Sequence, residues 1–198
     1  MKKLFAITLS VLIFSNVAHA SINAKKAEDF VKKMTTTGIE ELVNSNLSAS
    51  EKTKKFTKLF EEYFDLDFIG KFVLGRYYRT ATPEEKKSFI AAYKEYNVRT
   101  WSGRFDEFKG KSFDFKGSSA SNSASQIFVD TEVDMGDGSV PAKVVWRVLE
   151  EKDGAYKVVD IVIENVSLAV SARSEYTSFL KNNGGSISAL IKKLDGNK

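Results

Sequence analysis

Residues 126–163 read QIFVDTEVDMGDGSVPAKVVWRVLEEKDGAYKVVDIVI, and the period of that stretch decides the fold. Apolar and polar side chains alternate, as they do in a strand with one face buried and one wet. Ile127, Val129, Val133 and Met135 fall on one side, and so do Val140, Ala142, Val144, Trp146 and Val148. Gly136-Asp137-Gly138 and Lys152-Asp153-Gly154 separate the runs, and Asp-Gly pairs are hairpin signals. The last run is apolar on both sides, with Tyr156, Val158 and Val162 on one and Val159, Ile161 and Ile163 on the other. That pattern predicts a strand covered on both faces. Lys111–Lys116 alternates as well, ahead of a Ser-rich turn region over Gly117–Ser125. The four runs predict a four-stranded antiparallel meander.

Upstream the period changes to that of helices. Ala27, Phe30, Val31, Met34, Leu42 and Val43 predict a helix over 24–44, interrupted at Thr35-Thr36-Thr37-Gly38. Ser48 or Ser50 can cap a second helix to about Tyr63, with Phe56, Leu59, Phe60 and Tyr63 on one face. A third runs from Leu66 to Leu74 and stops at Gly75. Thr82-Pro83-Glu84-Glu85 then opens a fourth: an N-cap Thr, Pro at the first helical position and acids in the first turn. Phe89, Ile90, Tyr93, Tyr96, Thr100, Trp101, Phe105 and Phe108 give this helix one apolar stripe about seven turns long. After the meander, a helix from about Ser167 to Leu180 and a short one ending at Leu194 close the chain. Helices first and strands after predict an α+β fold, with helices packed on a curved sheet.

The first 20 residues have a different build. Lys2 and Lys3 precede an apolar run over 4–14, and Ala18-His19-Ala20 supplies a small-x-small cleavage site. This pattern predicts a signal peptide over 1–20, cut after Ala20, followed by a single domain over 21–198. Without those residues the net charge falls from +4 to +2, and His19, the only imidazole, is gone. The chain has no Cys at all. Triads built on His, and zinc, copper or haem sites of the usual nitrogen and sulfur ligands, are thereby excluded. Six Arg and a small net charge also argue against nucleic acid, whose binders carry a clustered basic surface.

Four features then compete for a role. Thirteen Phe, seven Tyr and two Trp remain after residue 20, and a helix stripe across a sheet either fills the space with them or encloses a cavity. Periodicity fits both. Arg76 and Arg79 around Tyr77-Tyr78 either grip an anionic head group or finish a helix end in solvent. Asp65 and Asp67 with Glu61 and Glu62 lack calcium-loop spacing and read as a solvated helix end. Asp160, on an apolar strand, reads as a general base or as a hydrogen-bonded structural carboxylate.

Several stretches resemble one family. The run VLGRYYRTATPEE over residues 73–85 is similar to the "LGxxWR.asPeq" segment of the MlaC family, periplasmic phospholipid-shuttle proteins of Gram-negative bacteria. Tyr156–Glu164 resembles that family's final strand. Val166-Ser167-Leu168, Arg173-Ser174-Glu175-Tyr176 and Gly184-Gly185 through Leu190-Ile191 resemble its C-terminal helices. Order and spacing agree over roughly residues 25–195. Asn165 departs from the pattern, standing where the family usually has Gly, and this bears on the turn rather than on function.

The resemblance implies a nuclear transport factor 2-like cone with a deep apolar pocket for acyl chains. It implies a monomeric periplasmic phospholipid carrier, not an enzyme, with phospholipid as cargo and no cofactor or metal. The implied partners are MlaA with a porin at the outer membrane and the MlaD subunit of an inner-membrane ABC transporter. Expected lining residues match the family's apolar pattern, with the face taken from alternation. From the helices they are Phe64, Phe68, Val73, Leu74, Phe89, Ile90, Tyr93, Trp101 and Phe105. From the sheet and its exit they are Val144, Trp146, Val159, Ile161, Ile163, Val166 and Leu168. Arg76 and Arg79 are the head-group candidates. Two rival functions stand beside the carrier. One is a periplasmic adaptor with a filled core; the other is a proton-transfer enzyme using Asp160 with Tyr93 or Tyr96.

Overall fold

The computed structural model describes residues 15–121, 126–134, 136 and 138–196, with side chains from residue 23 onward. Met135, Asp137 and most of the segment read as a signal peptide lie outside the described residues; residues 15–20 form the first turns of helix α1. None of the described helices is long and apolar enough to cross a membrane.

Local rules set most element ends. Helix α1 spans Ser15–Gly38 and runs through the Thr cluster, where Thr35 Oγ1 donates back to the carbonyls of Val31 and Lys32 and so does not compete for the backbone amides. One turn of π-helix, Ile39–Val43, continues it and buries Leu42 and Val43. Helix α2 (Ala49–Tyr63) starts in a capping box between Ser48 and Glu51. Helix α3 (Leu66–Leu74) is capped by Asp65, whose Oδ1 accepts from the Phe68 amide, and ends at Gly75 with φ +56°. A 3₁₀ turn over Gly75–Arg79 leads to helix α4 (Pro83–Ser102), capped by Thr82 and Glu85 as its sequence predicts. The aromatic stripe does not continue as one helix. It breaks at Gly103, and Phe105–Phe108 form a separate 3₁₀ turn. Asp65 is therefore spent as a cap and Glu61 pairs with Lys94 at 2.7 Å, which leaves that acidic group a helix end.

The sheet is an antiparallel meander in the order β1-β2-β3-β4-β5. Strands β2 (Gln126–Asp134), β3 (Ala142–Glu150) and β4 (Tyr156–Ile163) lie where alternation puts them. Two strands do not follow from composition. Strand β1 runs over Ser112–Ala120, into the Ser-rich segment, because pairing with β2 satisfies its backbone. Strand β5, Val166–Ser167, adds a fifth member at the edge of β4 and enters helix α5 (Leu168–Asn182). Helix α6 (Ile187–Leu194) follows.

One bulge matters for the site. Arg147 faces Asp160 and Val148 faces Val158, so Val159 is an extra residue in β4. The alternation read from sequence therefore breaks inside the strand. Tyr156 and Val158 share the inner face with Ile161 and Ile163, all packed into one apolar cluster with α1. Asp160 and Val162 are on the other side.

Among the described residues two large interior compartments result, beside a small cluster of Leu42, Val43 and Phe105. One lies among α3, α4, α5 and α6 around Phe89, Leu180 and Leu190, each fully buried. The other lies between α1, α2 and the inner sheet face, around Val31, Val129, Trp146 and Val158. The fold is α+β, with an open antiparallel sheet and helices laid over it.

Candidate functional site

Between these compartments is a cavity of about 310 Å³. Its helical wall comes from the end of α1 and the π-turn (Met34, Thr35, Gly38, Ile39, Leu42, Val43), from α2 (Phe56, Leu59, Phe60, Tyr63), and from α4 with the 3₁₀ turn after it (Tyr93, Asn97, Trp101, Phe105, Phe108). Phe64 and Ile69 complete that side. The sheet gives Phe113, Val133, Val144, Trp146, Val159, Asp160, Ile161 and Ile163, and the start of α5 gives Leu168 and Ala169. Aromatic rings pack around it in series: Phe56 meets Phe105 edge-on at 5.1 Å, and Phe60 meets Phe64 at 4.8 Å.

Several of the polar groups in this wall are already engaged. Thr35 is bonded to its own helix, and Asn97 Nδ2 donates to the Tyr93 carbonyl at 2.8 Å. Trp146 Nε1 donates to Thr131 Oγ1 at 3.1 Å, and that hydroxyl donates to the Val144 carbonyl. Asp160, 4% exposed, accepts from the Ala169 amide at 2.9 Å, from Ser167 Oγ at 2.6 Å and from Arg147 Nη1 at 3.2 Å. The cavity thus offers an occupant apolar surface and few free hydrogen-bonding groups. It can dissolve a hydrocarbon and has little with which to read a polar one.

The structure brings Phe64, Tyr93, Trp101, Phe105, Val144, Trp146, Val159, Ile161, Ile163 and Leu168 together around this space. It places the other expected residues elsewhere. Val73, Leu74 and Phe89 are fully buried in the all-helical compartment, with Ile90 packed beside them. Phe68 faces a separate groove, and Arg76 and Arg79 are in that groove too, sharing no lining with the cavity. Val166 is 56% exposed on the edge strand. The residues that sequence reasoning missed include all those of α1 with its π-turn and of α2; the α1 group is the largest. Their helical apolar period was visible, but nothing local tied that helix to the sheet. π-turns inside helices recur at functional sites, and this one forms part of the wall.

Asp160 does not have the setting of a general base. Its two oxygens are held by three donors, one of them the first turn of α5, so they are committed to structure. Tyr96, the other proposed donor, is 37% exposed and does not line the cavity. Burial pushes the Tyr93 phenol up to about 12; hydrogen bonding with Asn97 pulls the other way, and the Asp160 charge adds a further upward push. A phenol raised in the folded state contributes stability that is complete below its unfolded value near 10 and lost as pH rises towards 12. Urea midpoints measured from pH 9 to 11.5 are therefore expected to fall less steeply in Tyr93→Phe than in the parent. Parallel curves would show that Tyr93 ionises freely.

The chain matches the family model described as MlaC protein over residues 32–196, which takes in every residue lining the cavity. It belongs to the MlaC family. A solved structure superposes with a TM-score of 0.74 at 20% identity, covering 85% of this chain and 94% of that one. That structure is the phospholipid-binding protein from Ralstonia solanacearum in complex with a phospholipid, and the likeness shows a shared fold. Within this MlaC-family chain, the position where Gly is expected carries Asn165 at φ +66°, next to Glu164 at φ +47°. Asn tolerates the left-handed region better than other side chains, so the tight turn from β4 to β5 is kept without Gly.

Proposed function

We propose that this protein carries phospholipid across the periplasm between the outer and inner membranes, with acyl chains in the cavity between sheet and helices. The cavity wall is the observation that carries the conclusion: ring and branched side chains dominate it, and Asn97, Trp146 and Asp160 among its polar members are already hydrogen-bonded. Family membership and the phospholipid held by the Ralstonia solanacearum neighbour support it.

The physics of such a carrier is demanding. A diacyl lipid has roughly 30 methylenes, and at about 0.8 kcal/mol each its tails cost on the order of 24 kcal/mol to expose to water. At about 30 Å³ apiece, on the scale of a water molecule, the cavity takes roughly ten methylenes as it is shaped here. Two full tails therefore require the helical wall to move off the sheet. The space borders α1, α2 and α4; the end of α2 is tied to β4, where Phe64 pairs with Val158 and the Asp65 amide donates to the Val158 carbonyl, so widening falls to α1 and α4 and need not break a strand pair. The head group stays near the mouth, where Leu168 is 37% exposed. Weak head-group contacts suit a carrier, because a tightly read head could not be released.

In this reading residues 1–20 direct export and are removed after Ala20, and residues 21–198 act as a monomeric domain. Cargo is received from and delivered to MlaA with its porin and the MlaD subunit of the ABC transporter. The protein performs no chemical step and needs no cofactor, so the direction of transfer lies with the partners. Native mass spectrometry of residues 21–198, purified from periplasm without detergent, tests the proposal. A mass excess of about 700 per lipid, with phospholipid in a parallel organic extract, is the expected result. A bare polypeptide that liposomes cannot load would reject the carrier and favour an adaptor.

A further inference from the structure

A second groove, of about 490 Å³, lies between α3, the 3₁₀ turn after it and α5. Lys71, Arg76, Arg79 and Arg173 line it, and all four are exposed. Among the described residues none of these four has a carboxylate at ion-pairing distance, although carboxylates pair with lysine or arginine at many other places on the surface. Two of the guanidinium groups are held by rings instead. Arg76 lies over the Tyr77 ring at 4.9 Å and donates from Nη2 to its hydroxyl at 2.9 Å. Arg173 lies over Phe72 at 4.9 Å. Gly75 makes room for it, since a Cβ there would come within 3.3 Å of Arg173 Nε and Nη2.

A ring fixes the plane of a guanidinium without neutralising it, so the donor fork stays available to an oxyanion. Like charges gathered without a counter-charge repel one another, and an anion between them removes that cost. A carboxylate fills one fork, whereas the oxygens of a phosphate can accept from two at once. We propose that this groove is a phosphate-binding site, with Arg76 and Arg173 supplying the forks and Lys71 and Arg79 adding charge. It is independent of the apolar cavity and of what the cavity holds. The same chemistry is offered by a soluble phosphate monoester and by the head group of an anionic phospholipid in a bilayer.

Two probes separate those sources. The purified protein is titrated with glycerol 3-phosphate by calorimetry, and is co-sedimented with vesicles of phosphatidylglycerol, with phosphatidylcholine vesicles as the control. Saturable binding of either anionic probe is expected, weakened about tenfold or more in Arg76→Gln/Arg173→Gln, the usual cost of losing charge-assisted hydrogen bonds. Binding of glycerol 3-phosphate points to a soluble ligand; binding of phosphatidylglycerol vesicles alone points to a membrane surface. Arg79→Gln, whose side chain rests on no ring, gives a second reading if the double variant melts early, and its binding is expected to weaken as well. Failure of both probes to bind saturably overturns the site and assigns the cations to an acidic protein surface instead. Binding at parental strength in folded variants overturns it equally.

Discussion

Ile161→Trp is expected to fold and to lose most of its bound phospholipid. Ile161 is opposite Trp146 on the inner sheet face and lines the cavity, so an indole there enters the space that a tail would use. The added bulk displaces roughly two to three methylenes, which weakens retention by about 2 kcal/mol, or about thirtyfold. Val144→Trp, one pair further along the same face, acts in the same way, and because both positions line one cavity the two effects together are expected to fall short of their product. Overpacking destabilises by about 1–3 kcal/mol, which a domain of this size tolerates. Lipid per protein, read by native mass spectrometry on variants whose circular dichroism matches the parent, gives the answer. Unchanged lipid stoichiometry in folded variants would remove these positions from the site.

Asp160→Ala is expected to cost about 3–5 kcal/mol of folding stability, because it takes the carboxylate partner from Arg147, leaving it Gln126 alone, and removes the acceptor of the buried Ala169 amide and of the Ser167 hydroxyl. For a domain of this length that is a fall in melting temperature of roughly 10 °C or more. Removing both charges in Asp160→Ala/Arg147→Met is expected to recover part of the loss. The same pair of variants tests the enzyme alternative. A catalytic carboxylate would show lost turnover with little change in melting; a structural one shows the reverse. An Asp160→Ala melt within a degree or two of the parent would contradict the role assigned here.

The chain announces its element ends clearly and its compartments poorly. Ser48, Asp65, Thr82 with Pro83, and Gly75 act through bonds to residues three or four positions away, so their effects are written locally. The α+β order and the face of β3 are legible for the same reason. Which interior space a buried side chain meets is a different matter. Phe89 and Tyr93 are one turn apart on α4, yet Phe89 packs only among helices while Tyr93 also reaches the cavity. A period of 3.6 states that a residue faces inward and not which of two inward directions it takes. The strand character of Ser118–Ala120 was hidden because it depends on β2 and not on its own composition. Likewise the two sides of β4 could not be assigned from alternation, since the extra residue at Val159 is set by its pairing with β3.

That extra residue also governs which changes in chain length the fold can absorb. A lineage that dropped Val159 would keep Val158, Asp160 and Ile161 on their present sides, now in unbroken alternation, and would lose the bend and one side chain of the cavity wall. Dropping Val162 instead would swing Ile163 away from the cavity and break its match to Val144. A change of side chain along β4 leaves its pairing with β3 in register, while a deletion after the bulge turns every later residue of the strand to the opposite face.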